Sequence, residues 1–291
     1  MGKSIKLISL ILLITLFFSK ITGCLNTTNE IIDEYPIFTS YRDIPGVTQY
    51  EVDKIEEIRR KVDYFSFGMV LSTEAFYDTY GQINGYSAFF TEWLTQLFGI
   101  PFIPELHSFS DMYSGLDNKE IDFTGYLMAT DERREIFYMT SPITQRSFSY
   151  FRLTGSEPIP EIRKTRLPRY ALVKGTATTH SIMTSAIHDF IPVFIDDHIE
   201  VYDLLINNEA DAFVSINSSE AWFDEFYDIE AVDFFPLIFS TASFATGNRD
   251  LRVFISVVQK ALDAGILQYL NTLYELGERE YRRNKLQLRL T

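Results

Sequence analysis

Cysteine, tryptophan and histidine are scarce in this chain of 291 residues, which has one Cys, two Trp and four His. A single cysteine excludes an internal disulfide framework and any cysteine-built metal cluster. The histidines, His107, His180, His188 and His198, are scattered; only His198 approaches acids, Asp196 and Asp197, and a solvated acidic loop explains that group equally well, so no metal is expected. Basic residues are in deficit, 26 Lys+Arg against 40 Asp+Glu for a net charge of -14, and nucleic acid is therefore not an expected partner. No nucleophile elbow of the Gly-x-Ser-x-Gly type and no phosphate loop occurs, which leaves neither an enzymatic reading nor a cofactor to expect. Aromatics are plentiful instead, at 15% with 25 Phe and 17 Tyr. That much apolar area drives a sizeable core, and the length suggests two lobes at about 150 residues each.

The first residues follow the order of a secretory signal. Lys3 and Lys6 precede an apolar stretch from Leu7 to Phe18, interrupted only by Ser9 and Thr15, and Ser19 to Cys24 follows. The stretch is short for a membrane span of about 20 residues, and nothing after Cys24 is long and apolar enough for one. Ile21-Thr22-Gly23-Cys24 resembles the bacterial lipobox, which implies cleavage after residue 23 and lipid attachment at Cys24. A buried thiol or a chance residue in an uncleaved anchor is the plainer alternative. The expected location is extracytoplasmic, lipid-anchored to the cell membrane at the periplasm or outer surface, with residues 24–62 as a tether and N-terminal helix.

Past the polar, turn-rich residues 25–47, Thr48 and Glu51 have capping-box spacing, and Val52, Ile55, Ile58 and Val62 make a helical stripe over about residues 49–61. Strands are expected at Tyr64–Leu71, Pro101–Leu106, Ile121–Leu127, Tyr170–Val173, Pro192–Ile195 and Ala212–Ile216. Helices are expected at Ser87–Phe98, Asp111–Leu116, Arg133–Ile136, Thr178–Phe190 and Ile199–Asn207, with a long one over Leu251–Leu276. The alternation is that of two α/β lobes. The last residues carry Arg279, Arg282, Arg283, Lys285 and Arg289 against Glu280, which reads first as a solvated helix face.

An ordered series of motifs carries a resemblance. It comprises Gly85-Tyr86-Ser87, Leu97-Phe98-Gly99-Ile100, Ser114-Gly115-Leu116, Lys119 to Phe123, Thr130-Asp131-Glu132-Arg133, Thr140-Ser141-Pro142-Ile143, Lys174-Gly175-Thr176 and Asn208 to Ala212. Over roughly residues 63–275 the chain resembles the family 3 extracellular solute-binding proteins, the amino-acid-binding components of ABC transporters. Thr39 to Thr48 and Arg282 to Leu286 look more like the subgroup that serves as sensor input of histidine kinases and diguanylate cyclases. The resemblance implies an α/β, bilobed periplasmic-binding-protein fold (type II), its two lobes joined by two crossing strands near Phe148–Leu153 and Phe239–Thr246. Lobe 1 would take residues 63–149 plus 240–275, lobe 2 residues 150–239, and residues 276–291 would form a basic tail. The ligand would lie between the lobes and be captured by hinge closure. The family fold also hosts periplasmic dehydratases and lyases, but no residue here supports turnover.

The resemblance assigns Arg133, three residues after Thr130, to the ligand carboxylate, a role that suits a guanidinium fork. The positions three and four away from Arg133 hold Ala129, Thr130, Ile136 and Phe137, so no acid on its own helix competes for it. Thr176 and Thr178 start a helix after Gly175, where an anion or simple N-capping is equally served. Phe76 and Tyr77 fall where family members set an aromatic against the ligand, although such residues are as often core. Tyr126 and Met128 replace small polar residues four and two positions before Thr130. The acid that usually meets the ligand ammonium is replaced by Ile216, with Asn217, Glu220 or Glu74 as substitutes. The expected partner is thus a small carboxylate, an amino acid first and an organic acid as the alternative. An ABC permease or a signalling partner would receive the outcome of binding.

Overall fold

The apolar runs of the sequence pair as strands, and the amphipathic stretches cover them. A computed structural model describes residues 36–185 and 188–288. Cys24, the signal segment, the tether up to residue 35, residues 186–187 and residues 289–291 lie outside the described residues. In chain order the strands are β1 (Phe65–Val70), β2 (Phe76–Tyr77), β3 (Ile83–Asn84), β4 (Phe102–His107), β5 (Phe123–Thr124), β6 (Tyr138–Leu153), β7 (Arg169–Val173), β8 (Ile191–Ile195), β9 (Ala212–Ile216), β10 (Ile229–Asp233) and β11 (Phe239–Thr246). The helices are α1 (Gln49–Arg59), α2 (Tyr86–Phe98), α3 (Phe109–Asn118), α4 (Asp131–Ile136), α5 (Ile159–Thr165), α6 (Ala177–Ser185), α7 (Val201–Ile206), α8 (Arg252–Asp263) and α9 (Leu267–Leu288).

The sheet order is β4-β1-β5-β11-β6-β9-β7-β8, with β10 also on β6. The 16-residue β6 is the strand both halves share. Up to Ser147 it pairs antiparallel with β11, and from Phe148 onward it pairs with β9 and β10. Parallel pairs β1–β4, β1–β5, β7–β8 and β7–β9 complete each half, so every half is a βα-built lobe with β6 and β11 passing between them.

Each lobe has its own aromatic core. In lobe 1, Phe65 stands edge-on to Phe254 at 5.1 Å and Phe123 stacks on Phe244 at 5.0 Å. In lobe 2, Tyr150 lies 4.6 Å from Phe234 and 5.3 Å from Tyr170. Helix α1 starts as the capping box predicts, with Thr48 and Glu51 exchanging both bonds. Glu51 then reaches α8, accepting from Ser256 Oγ at 2.7 Å and Lys260 Nζ at 2.5 Å.

The helix expected over Thr178–Phe190 is Ala177–Ser185, with 188–190 outside it, and β10 is unforeseen; two further elements differ from expectation. The strand foreseen over Ile121–Leu127 shrinks to Phe123–Thr124, because the Tyr126 N–H bonds back to the Thr124 hydroxyl at 3.2 Å and takes the chain out of the ladder. The closing helix is two helices that meet at 99°. Gly265 adopts φ 97, which only glycine accepts freely, and the Ile266 N–H turns back to Ala261 O at 3.1 Å. Helix α9 runs on to Leu288, and its buried residues Leu270, Leu273, Gly277, Tyr281 and Asn284 recur at three or four. Among the described residues no single helix is long and apolar enough to cross a membrane.

Candidate functional site

Where β6 and β11 pass between the lobes, a cavity of about 400 Å³ opens. Lobe 1 lines it with the end of β1, the start of α3, Tyr126, Met128 and Arg133. Lobe 2 contributes the turn from Val173 to Thr179, Asp196 to His198, Phe213 to Ile216 and Trp222, while Arg146 and Ser240 come from the crossing strands. That volume falls within the range of small-molecule sites. A larger recess, about 940 Å³, opens between α1 and α8 on lobe 1. Its lysines Lys54 and Lys61 are tied to Glu57, and Arg249 and Arg252 also line it; the interlobe cavity, set between the lobes, holds a cation outside any described ion pair.

That cation is Arg133. Thr130 N-caps the six-residue α4, its hydroxyl accepting from the Arg133 N–H at 3.3 Å, and this sets the start of the turn from which the guanidinium extends. Nη1 donates to Met128 O at 3.0 Å, and the guanidinium carbon lies 5.9 Å from the Phe109 ring centre and 5.8 Å from that of Tyr113. No acid forms an ion pair with it among the described residues. Half-burial lowers its pKa, yet an arginine stays charged there. The group is a half-buried cation beside two aromatic rings, an arrangement suited to binding a carboxylate.

The second arginine in the cavity, Arg146, is already satisfied. Its Nε donates to Glu74 Oε1 at 2.6 Å and its Nη2 to Oε2 at 2.5 Å, both side chains being almost wholly buried. Nη1 donates to Tyr126 O at 3.2 Å, the guanidinium sits 4.6 Å over the Tyr126 ring, and Tyr274 OH adds a 3.1 Å bond to Glu74. Burial works against the charge on Arg146, and Glu74 outweighs it, so its pKa is raised. Sequence alone gave Arg146 no role, because its partner lies 72 residues away.

The remaining candidates are placed as follows. Tyr126, Met128, Thr176 and Thr178 line the cavity together with Arg133. Thr176 caps α6, accepting from the Thr179 N–H at 3.1 Å. Thr130 supports Arg133 from below without lining the cavity. Phe76 and Tyr77 lie off it: Phe76 packs edge-on against Tyr281 at 5.4 Å, and Tyr77 is exposed, its carbonyl accepting from Asn284. Asn217 begins the turn after β9, beyond the lining residue Ile216. Glu74 is spent on Arg146 and Glu220 on Lys285, which leaves neither as a free ammonium partner.

The lobes also touch directly. Trp222 Nε1 of lobe 2 donates to Leu71 O of lobe 1 at 2.6 Å, and the Thr73 N–H donates to Ser218 O at 2.8 Å. His198 stacks on Trp222 at 4.1 Å, forming an aromatic wall on the lobe 2 side. Burial depresses the pKa of His198, outweighing the pull of Asp197, so the wall is neutral at pH 7.

Solved structures share this architecture. The amino acid ABC transporter substrate-binding protein AbpA from Streptococcus pneumoniae, bound to L-arginine, superposes with a TM-score of 0.61 at 13% identity, covering 78% of this chain and 98% of that one. The periplasmic VFT2 domain of Bordetella pertussis BvgS gives 0.61 at 18% identity, over 77% and 97%. The ancestral amino acid-binding protein AncCDT-1, a precursor of cyclohexadienyl dehydratase, gives 0.57 at 16%, over 76% and 97%. No family model and no curated protein matches the sequence. The chain therefore has the bilobed, type II periplasmic-binding-protein fold, shared by amino-acid-binding proteins of the kind that the motifs resembled and by a periplasmic VFT2 domain. Identities this low establish the fold and leave function to the site.

Proposed function

We propose that the protein is an extracytoplasmic solute-binding protein that captures a small carboxylate between its lobes by hinge closure. The observation that carries the reading is Arg133, a half-buried guanidinium facing the interlobe cavity without an acidic partner among the described residues. Met128 O and the Phe109 and Tyr113 rings fix its position, and its remaining N–H groups are available to a carboxylate fork. Thr176 and Thr178 approach from the opposite lobe, where a ligand bound to both sides would favour the closed arrangement. Nothing in the reading needs catalysis. Lipid anchoring at Cys24 and export through residues 1–23 belong to it on the strength of the sequence.

A thermal-shift panel of amino acids, organic acids and small peptides against the full chain, repeated with Arg133→Ala, tests it. A ligand at 100 times its dissociation constant stabilises the folded state by about 2.7 kcal/mol. A specific rise in melting temperature that disappears in the variant is the expected result. A flat panel, or a shift indifferent to the substitution, would overturn the assignment.

A second reading is a ligand-sensing input domain for a histidine kinase or diguanylate cyclase. It is favoured by α9, which is rooted in the lobe 1 core at Leu270 and Leu273 yet bonds to lobe 2 through Tyr281 and Lys285. A helix tied to both lobes is suited to report their relative movement.

A further inference from the structure

We infer that the ligand is an apolar monocarboxylate, aromatic or branched, that carries no α-amino group; this rests on the carboxylate-receptor reading above. The charges around the cavity carry the argument. A zwitterionic amino acid needs an acid for its ammonium as well as a cation for its carboxylate, since an ammonium enclosed without a partner is costly. Among the described residues the cavity is lined by two carboxylates, Asp196 and Asp197, both on lobe 2. Asp196 accepts from Lys174 Nζ at 2.8 Å, and its side chain is 82% exposed. Asp197 accepts from the Ile199 N–H at 3.0 Å, lies 2.9 Å from His198 Nδ1, and is 58% exposed, so an ammonium there would stay in contact with water. Glu74, the buried acid nearest in kind, has both oxygens engaged by Arg146.

Carbonyl oxygens offer little more. Those of Leu71, Tyr126 and Met128, all cavity residues, already accept from Trp222, Arg146 and Arg133. Ile216, the last residue of β9, meets the cavity as a buried apolar side chain. Arg133 is then matched by one negative charge and no positive one. The walls set the rest of the ligand: Phe109 and Tyr126 from lobe 1 face the neutral His198–Trp222 stack, Val214 and Ile216 from lobe 2. Such walls recognise an apolar body, while the hydroxyls that also line the cavity, among them Ser110, Thr178 and Ser240, supply no charge to pair with an ammonium.

Calorimetric titration of the full chain with matched pairs that differ only in the amino group, 3-phenylpropanoate against phenylalanine and 4-methylpentanoate against leucine, tests the inference. The amino-free member of at least one pair should bind tenfold or more tighter, and Ile216→Asp should narrow or reverse that preference. The wild-type comparison stands by itself if the variant does not fold. Binding of the amino acid as tightly as its partner, lost on Asp197→Asn, would overturn the ligand class while leaving Arg133 as the carboxylate anchor. Failure of every member of both pairs would overturn it too, and a flat wider panel in addition would remove the receptor reading itself.

Discussion

Single residues differ in how much of their surroundings the sequence reveals. Glu51 illustrates a residue whose local role is legible and whose long-range role is not. The capping box with Thr48 follows from spacing, but the bonds to Ser256 and Lys260 span more than 200 residues. Burial alone would raise its pKa; the bonds from Lys260, the Thr48 N–H, Ser256 and the Thr48 hydroxyl more than reverse this, and the value falls from 4.5 to about 2. A carboxyl whose pKa is depressed on folding stabilises fully above its unfolded value and loses that contribution as pH falls through the folded one. Stability should therefore decline between about pH 4.5 and 2 by at most roughly 3 kcal/mol from this group. Chemical denaturation across that range reads the effect, and Glu51→Gln should be less stable at neutral pH with a flatter acid limb. A variant with the parent's acid limb would remove Glu51 from the linkage. Arg133 is the opposite case: the resemblance at Thr130 to Arg133 points to it, the absence of acids three and four positions away leaves it without a partner on its own helix, and its side chain lines the cavity. Arg146 stayed silent, and Glu74 reads in the sequence only as a substitute ammonium partner, because a pair between the turn after β1 and a strand 72 residues on leaves no local signature.

Elements were legible wherever one periodicity ran uninterrupted. The helix at Tyr86–Phe98 and the strands Phe65–Val70 and Ala212–Ile216 lie within one residue of the expected bounds. Two of the misses occurred where backbone geometry interrupts an unbroken apolar pattern, at the Thr124 hydroxyl turn and at Gly265. Helix α9 depends on a further backbone feature, the close approach at Gly277. A Cβ there would lie 2.3 Å from Tyr86 N and 2.8 Å from Tyr86 Cα, both backbone atoms at the start of α2. Alanine is the better helix former by about 1 kcal/mol, so Gly277→Ala would stabilise a helix that stood alone. Overpacking against rigid backbone costs about 1–3 kcal/mol, and the clash here is with atoms that cannot rotate away. Net destabilisation is expected, read as a melting temperature lower by several degrees. A rise would show that α9 does not seat on α2 at this glycine.

At the scale of the whole molecule, the two lobes are joined by more than the crossing strands, and the basic run near the C-terminus is part of the joint. Patterning read Arg279 to Arg289 as a solvated face, which describes Arg282 and Arg283: their ion pairs with Glu278 and Glu280 stay on their own helix. Lys285 differs, because its ammonium lies 2.7 Å from Glu220 and 2.9 Å from Asp224, both in the lobe 2 turn that also carries Trp222. Burial lowers the pKa of Lys285 and the two acids outweigh it, so the charge is retained well into alkaline pH. Lys285→Ala removes the cation that bridges α9 to lobe 2 and leaves Glu220 and Asp224 facing each other. Partly exposed pairs of this kind are worth about 1 kcal/mol or less each. The expected effect is a several-fold shift toward wider lobe separation, seen as a larger radius of gyration in solution scattering and faster dissociation of whatever ligand the panel identifies. Arg282→Ala, which cuts a pair within α9 alone, should change neither. If the two variants behave alike, the Lys285 bridge does not couple α9 to the lobes, and the sensing role loses that support. If only Lys285→Ala opens the molecule, ligand capture at Arg133 and the position of α9 are two ends of one equilibrium, and what stabilises either end must bias the other by the same free energy.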